Sequence, residues 1–303
     1  MSKKIIIAGG SGFLGHSIIK SYKDTDTNIV VLTRGKSETV NNITYVHWDA
    51  ESLDDWANEL EGATAVINLV GKSVNCRYTE KNKQEIINSR VKATYIIGTA
   101  IQIAADPPKV WINAGSAAIF GNSGKEYKDE YSLTGDGFSP EVCKRWESAF
   151  NNIGTPFTKK VFLRIGLVFQ KDGGLLKPFI NLVKFGLGGK IGTGNQYISW
   201  IHEDDFTNVI KAVIDREDLS GLIHCSSPAP VTNKEFLQTL RRAYNKSFGL
   251  PTPAFIVKIG AVFIGTEAEL VLSGRRVVSK ILEQKGFDFK YPDITSALTN
   301  ILN

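Results

Sequence analysis

Residues 3–22 read KKIIIAGGSGFLGHSIIKSY. A short β-branched run ends in glycines and passes straight into a helical pattern. GGSGFLG, residues 9–15, fits G-x-G-x-x-G on Gly10, Gly12 and Gly15. It also fits the offset G-x-x-G-x-x-G on Gly9, Gly12 and Gly15. Glycine allows a tight strand-to-helix turn, and it lets the backbone approach a pyrophosphate at the positive end of the helix. Gly9, Gly10, Ser11, Gly12, Phe13, Leu14 and Gly15 are therefore expected to contact a dinucleotide. An ordinary βα turn is the plainer alternative, and the next strand tells against it.

The same alternation continues outward. Strands are expected at 4–9, 28–33, 43–48, 64–70, 109–115 and 160–169. Several are apolar nearly throughout, as when both faces of a sheet are covered. Helical patterns separate them at FLGHSIIKSY, LDDWANEL, about 80–104 and about 141–150. The fold class is thus α/β: a Rossmann-type doubly wound parallel sheet with a smaller, mostly helical C-terminal substrate-side part. The expected division is 1–169 for the nucleotide domain, with 196–227 returning to it. The C-terminal part takes 170–195 and 228–303. In it, Thr232 should cap the helix of TNKEFLQTLRRAY, with Glu235 completing the cap.

The second strand ends VVLTRG. An NAD site usually carries an acid here for the ribose 2′-hydroxyl. Thr33 and Arg34 stand there instead, and an arginine can pair with a 2′-phosphate. NADP(H) is therefore favoured over NAD(H). A solvated turn arginine is the alternative. Asp49, after the third strand, could accept from an adenine amine, or cap a helix starting near Leu53. Leu69 and Gly71, at the end of the 64–70 strand, join the expected cofactor contacts.

Bulk properties narrow the partners. The chain has 303 residues, 42% hydrophobic and 22% charged, with a formal net charge of +5. Its basic residues form pairs rather than tracts, so nucleic acid is not an expected partner. No stretch suits a signal peptide, and AFIVKIGAVFI (254–264) is too short to span a bilayer. A cytoplasmic protein without a membrane partner is expected. The cysteines Cys76, Cys143 and Cys225 form no paired motif and read as free buried thiols. HEDD (202–205) could suggest a metal, but acids at a helix start are more simply caps, so no metal is expected.

Four segments, in order, carry a resemblance: GGSGFLG, INAGSAAIFG (112–121), FLRIGLVF (162–169) and SWIHEDDF (199–206). Together they resemble the extended short-chain dehydrogenase/reductase superfamily. RYTEKNKQEIINSR (77–90), EVCKRWE (141–147), QYISWIHEDDF (196–206) and LSGRRV (272–277) are similar to one atypical, epimerase-like branch, often labelled nucleoside-diphosphate-sugar epimerase. The superfamily's chemistry uses a Ser, a Tyr and a Lys. Ser116 matches the Ser and is the candidate catalytic residue. The Tyr and Lys positions fall on Ser139 and Cys143, and no Y-x-x-x-K occurs in the chain. Lys144 is one residue off, about 100° around a helix. Tyr127, Tyr131 and Glu130, in GKEYKDEYSLTGDGF, could supply an acid from outside.

The resemblance places Arg90 where the superfamily commonly has an Asn near the cofactor. Arg90 or Arg77 could also bind an anionic substrate group. Asn195 and Gln196, in GTGNQYISW, and His202 are expected on the substrate side. The implied function is an NADP(H)-dependent oxidoreductase or epimerase-like protein acting on a small polar substrate, for which a sugar nucleotide is one choice. The alternative is a non-catalytic NADP(H)-binding sensor or scaffold, which the missing Tyr-Lys pair motivates. The resemblance also implies a homodimer formed through the helix at about 80–104.

Overall fold

A computed structural model describes residues 2–171, 173–174 and 176–302. The first half runs β1 (Lys3–Ala8), α1 (Phe13–Ser21), β2 (Thr27–Thr33), β3 (Glu38–Val40), β4 (Ile43–His47) and β5 (Ala65–Asn68). It continues through α2 (Glu80–Ile103), β6 (Val110–Ser116), β7 (Tyr127–Lys128), α3 (Phe138–Asn151) and β8 (Lys159–Ile165). β12 (Gly221–Cys225) completes an eight-stranded sheet in the order β12-β8-β6-β5-β1-β2-β4-β3. Pairing is parallel except where β3 meets β4. The order reverses between β1 and β5, and Gly9 and Leu69 follow those two strands.

The remaining elements are β9 (Leu167–Phe169), α4 (Leu176–Lys184), β10 (Tyr197–Ile198), β11 (Trp200–His202), α5 (Glu203–Asp215) and β13 (Val231–Thr232). Then come α6 (Asn233–Ala243), α7 (Ala254–Ile264), α8 (Glu269–Leu272), β14 (Arg276–Val277), α9 (Lys280–Gln284) and α10 (Ile294–Leu302). Thr232 and Glu235 form the reciprocal capping box at α6, satisfying orphan donors on both sides of the helix start.

Three expectations change in detail. The 160–169 run is two strands, because Gly166 turns the chain out of the main sheet. Its N–H bonds Cys225, and a Cβ there would lie 2.9 Å from the Ser199 carbonyl oxygen. β9 then pairs with β11 instead. LDDWANEL holds a 3₁₀ helix, Asp55–Leu60, capped by Asp54. Asp49 does not cap it; its carboxylate closes the preceding turn onto Glu51 and Ser52. α4 starts at Leu176, and Leu175 lies outside the described residues.

Besides a small third cluster of Ala117, Ile119, Phe120, Cys143 and Val277, two main apolar cores are buried. The larger packs the central strands against α2, α3 and α5, with Trp56, Trp111 and Phe206 fully buried. The smaller gathers Phe169, Phe179, Trp200 and Phe236 with α10. Trp200 and Phe169 stack nearly parallel, 5.9 Å apart. α5 and β12 belong to the larger core, and so do Leu282, Phe287 and Phe289. The chain therefore crosses back after residue 279, a return that the division at 228–303 does not contain. Apolar spacing alone cannot say which of two adjacent cores a short helix joins.

Candidate functional site

The glycine turn is built for close approach. Gly9 has φ +78°, and Gly12 closes the turn by donating to the Gly9 carbonyl at 3.1 Å. Gly12 is the N-cap of α1 and carries no capping side chain, so the first amides of that helix keep no side-chain acceptor. A Cβ on Gly15 would lie 2.3 Å from the Gly10 oxygen, so α1 seats directly on the turn. Ser11 is exposed, and Phe13 and Leu14 are half-buried. Gly173 and Gly174 lie against the Phe13 ring, where a Cβ on Gly173 would come within 2.4 Å. These amides at the carboxyl edge of β1 suit a pyrophosphate.

Arg34 is exposed at the end of β2 and engages no acid in an ion pair among the described residues. Thr33 turns its hydroxyl back to the Gly35 N–H. Asp49 is exposed, and the turn amides of Glu51 and Ser52 hold its carboxyl down at about 2. It is a fixed acceptor at the same sheet edge. Leu69 continues the ladder by donating to Ala8. Gly71 is exposed, and a Cβ there would lie 2.9 Å from the Arg90 guanidinium.

Arg90 is half-buried. It donates to the Lys72 and Ile86 carbonyls and lies over the Trp146 ring at 5.1 Å. Burial pulls its pKa down. Behind it Asn68, Thr94, Asn113 and the Trp146 indole N–H form a buried hydrogen-bonded network. That network pins β5 and β6 to α2 and α3.

Ser116 stands half-buried at the end of β6. Its oxygen accepts from the Ala118 N–H at 3.1 Å, which leaves the hydroxyl proton for another acceptor. On α3, Cys143 is buried, and burial pushes its thiol up to about 11 against the pull of Arg90 and Arg275. Tyr78 comes from the loop before α2. Its ring meets Phe138 edge-on at 4.6 Å, and its buried hydroxyl lies beside Ser139 without a well-formed hydrogen bond. Burial raises the Tyr78 pKa, and Ser139 offsets part of that rise. Both Arg90 and Arg275 act electrostatically on Cys143 and on Tyr78. So a phenol lies beside Ser139, one of the positions that α3 leaves without Tyr and Lys, and two guanidiniums are within electrostatic reach of Cys143, the other. Tyr78 and Arg275 lie within RYTEKNKQEIINSR and LSGRRV, but nothing in spacing shows that these segments meet.

The other expected residues scatter. Arg77 is exposed and pairs with Glu267 at 3.4 Å while donating to the Thr266 carbonyl. It ties the loop to the C-terminal part. Gln196 spends its amide on Ile191 and Val271 carbonyls. Asn195 is exposed beside it. His202 is 1% exposed, caps α5 through Nδ1, and meets Asn300 through Nε2. Both ring nitrogens are spent inside the protein, a structural placement rather than a substrate-facing one.

Glu130 is also spent inside: it accepts from His224 N–H, Ser279 Oγ and Lys280 N–H. Tyr127 and Tyr131 are 55% and 69% exposed. Asp205 accepts from the Lys290 and Tyr291 amides. Among the described residues no group of three His, Cys, Asp or Glu is arranged to hold a metal. Cys225 is buried, but Cys76 is only half-buried, because its loop lies at the surface.

A mostly parallel Rossmann sheet, a glycine turn at its switch point and a C-terminal part packed beside it define a short-chain dehydrogenase/reductase-like nucleotide-binding protein. Residues 5–141 match the NAD dependent epimerase/dehydratase family, and residues 252–301 match a domain of unknown function. An epimerase family protein of Bacillus subtilis, YfhF, is 33% identical over 301 residues, covering 98% of this chain and 97% of that one. An Arabidopsis thaliana chloroplastic homolog of SDR39U1 is 31% identical, covering 98% and 86%. The crystal structure of human epimerase family protein SDR39U1 with NADPH superposes with a TM-score of 0.88. It is 27% identical and covers 99% of both chains. The chain belongs to this epimerase family, in its atypical, epimerase-like branch.

Proposed function

We propose that the protein is an NADP(H)-dependent oxidoreductase of the atypical short-chain type, acting on a small polar substrate in the cleft between its two cores. One observation carries the reading: the bare glycine turn and the unpaired Arg34 lie on the same sheet edge. The human relative solved with NADPH supports the cofactor. The residues fit that group. Gly9–Gly15 would receive the pyrophosphate, Arg34 the 2′-phosphate, Asp49 the adenine, and Leu69, Gly71 and Arg90 the nicotinamide half. A bound nicotinamide supplies or removes hydride; the chain must orient the reacting oxygen and move a proton. Ser116 does the first, with its free hydroxyl proton. Arg90 and Arg275 favour a substrate with an acidic or strongly polar group.

Arg34→Asp tests the specificity. It should weaken NADPH binding, measured by calorimetry, at least tenfold while NADH changes less than threefold. That contrast reflects the loss of a charge-assisted contact to the phosphate alone. Equal losses would remove the argument for NADP(H). The second reading, a non-catalytic NADP(H)-dependent sensor or scaffold, is favoured by Ser139 and Cys143 standing in for Tyr and Lys. It predicts tight NADPH binding with no turnover across a panel of carbonyl and hydroxyl substrates. Turnover above background rejects it.

A further inference from the structure

α7 is turned inside out for a surface helix. Apolar residues spaced i, i+4, i+7 and i+8 ordinarily face a core. Here that stripe is Phe255, Ile259, Val262 and Phe263, and it faces outward. Phe255 is 63% exposed and Phe263 85%, with Ile264 at 78%. Only Ala261 on this helix is buried, and Val257 packs part-way against the smaller core. The stripe does not stand alone. The 186–192 loop bonds to Leu250 and Thr252, next to the start of α7. That contact brings in Phe185 at 80% exposure and Phe248 at 67%. An exposed apolar stripe with further exposed Phe on the neighbouring loops marks an interaction surface.

Charge identifies the partner. The two segments that build this face, 173–192 and 236–266, contain no Asp or Glu. They carry Lys177, Lys184 and Lys190, then Arg241, Arg242, Lys246 and Lys258. All of these are exposed except Arg241, which is half-buried and bound to the Gly188 carbonyl. In a chain with 31 acids against 36 Lys and Arg, these two segments carry only positive charge, with Glu235 and Glu267 immediately outside them. A second copy is a poorer occupant, since a two-fold contact would bring these cations against one another with only the flanking acids, such as exposed Glu235 and Glu269, to offset them. Nucleic acid could stack a Phe, but it would leave the aliphatic Ile259, Val262 and Ile264 in water. An anionic lipid surface satisfies both features, with side chains entering the acyl boundary and lysines meeting headgroups. α7 is about 16 Å long, too short to span a bilayer, so it would lie on the surface. No helix among the described residues is long and apolar enough to cross.

We propose that the face formed by α7 and the 185–190 and 246–250 loops adsorbs to anionic membrane surfaces. The proposal is independent of the cofactor reading. The test is co-sedimentation of the full chain with vesicles of phosphatidylcholine and phosphatidylglycerol, about three to one. Binding should exceed that to pure phosphatidylcholine at least tenfold and should fall away in about 0.5 M salt. Phe255→Ser with Phe263→Ser should lower it at least tenfold, since each ring fully buried in the acyl boundary contributes roughly 1.5–3 kcal/mol, about tenfold or more in affinity. Lys258→Glu should lower it at least fivefold, roughly the worth of one basic residue near a charged surface. All variants change exposed positions. They should keep the wild-type circular dichroism and NADPH affinity. No lipid-dependent sedimentation, or equal binding to both vesicle types, overturns the proposal. Concentration-dependent self-association in light scattering that Phe263→Ser abolishes, without vesicle binding, also overturns it and assigns the face to a second copy.

Discussion

Gly12 and Gly15 lie three residues apart in one turn, and the structure separates what each does. A methyl on Gly15 would lie 2.3 Å from the Gly10 oxygen and 2.4 Å from its Cα. Both are backbone atoms, and each gap is roughly 1 Å short of ordinary contact, so α1 would have to lift off the turn. Forced overpacking of this kind costs roughly 1–3 kcal/mol, more than the helix gain from Gly to Ala of about 1 kcal/mol. A methyl on Gly12 meets only the Gly9 oxygen, at 3.3 Å, and the backbone there is extended, with φ −86° and ψ 173°. Alanine adopts that conformation freely. Gly12→Ala should therefore change stability by less than about 0.5 kcal/mol. It should still weaken NADPH binding about tenfold or more, because the methyl stands where a pyrophosphate must approach. Gly15→Ala should lose both stability and affinity. Urea denaturation and NADPH calorimetry on the two variants make the comparison. If Gly12→Ala binds NADPH as the parent does, the turn does not cradle the cofactor and the functional reading loses its foundation.

Other consequences follow from the same packing. Glu147→Gln would strand the buried Arg164 guanidinium, which now holds both carboxylate oxygens at 2.9–3.1 Å. Urea unfolding should show a loss of roughly 3–5 kcal/mol, and the double variant Glu147→Leu/Arg164→Met should lose less. His224 is fully buried, and burial pushes its pKa from 6.5 to about 4. The folded chain then binds fewer protons than the unfolded one between those values. Stability should fall with falling pH in that window, by up to about 1.4 kcal/mol per pH unit, and this contribution should be flat above it. His224→Gln should flatten part of the slope; an unchanged slope assigns it to other groups, beginning with His202, which is lowered likewise.

The local grammar was legible because local physics wrote it. The glycine turn, the capping box at Thr232 and the buried parallel strands follow from neighbours within a few residues. What escaped depends on contacts across the chain. Glu130 sits in a polar loop that reads as solvent-facing, yet it is buried because His224, Ser279 and Lys280 supply its donors from distant segments. Asn68 and Asn113 occur within apolar strands and carry no pattern of their own; Thr94 and Trp146 make them a network. α7 was read only for its length. Which way its apolar stripe faces is settled by tertiary packing, and no periodicity contains that information.

The helix FSPEVCKRWESAF keeps its scaffolding work after losing the superfamily's Tyr and Lys. Trp146 and Phe150 pack the sheet, and Glu147 pairs with Arg164. What has changed is the source of the groups around Ser139. The hydroxyl comes from Tyr78 on another element, and the positive charge from Arg90 and Arg275 rather than a lysine on the same helix. Burial, with Glu267 and Glu269 nearby, keeps the Tyr78 hydroxyl protonated above its ordinary range, so it could serve only as a proton donor, with Arg90 and Arg275 facing the charge it would leave. This makes Tyr78→Phe the variant that separates an enzyme from a sensor. It deletes one oxygen and keeps the ring on Phe138, so NADPH affinity should hold within about twofold. If Tyr78 supplies the proton, turnover falls at least a hundredfold and the alkaline limb of its pH profile disappears. If turnover survives with its profile intact, the proton comes from elsewhere, and Tyr78 is a packing residue with a stranded hydroxyl.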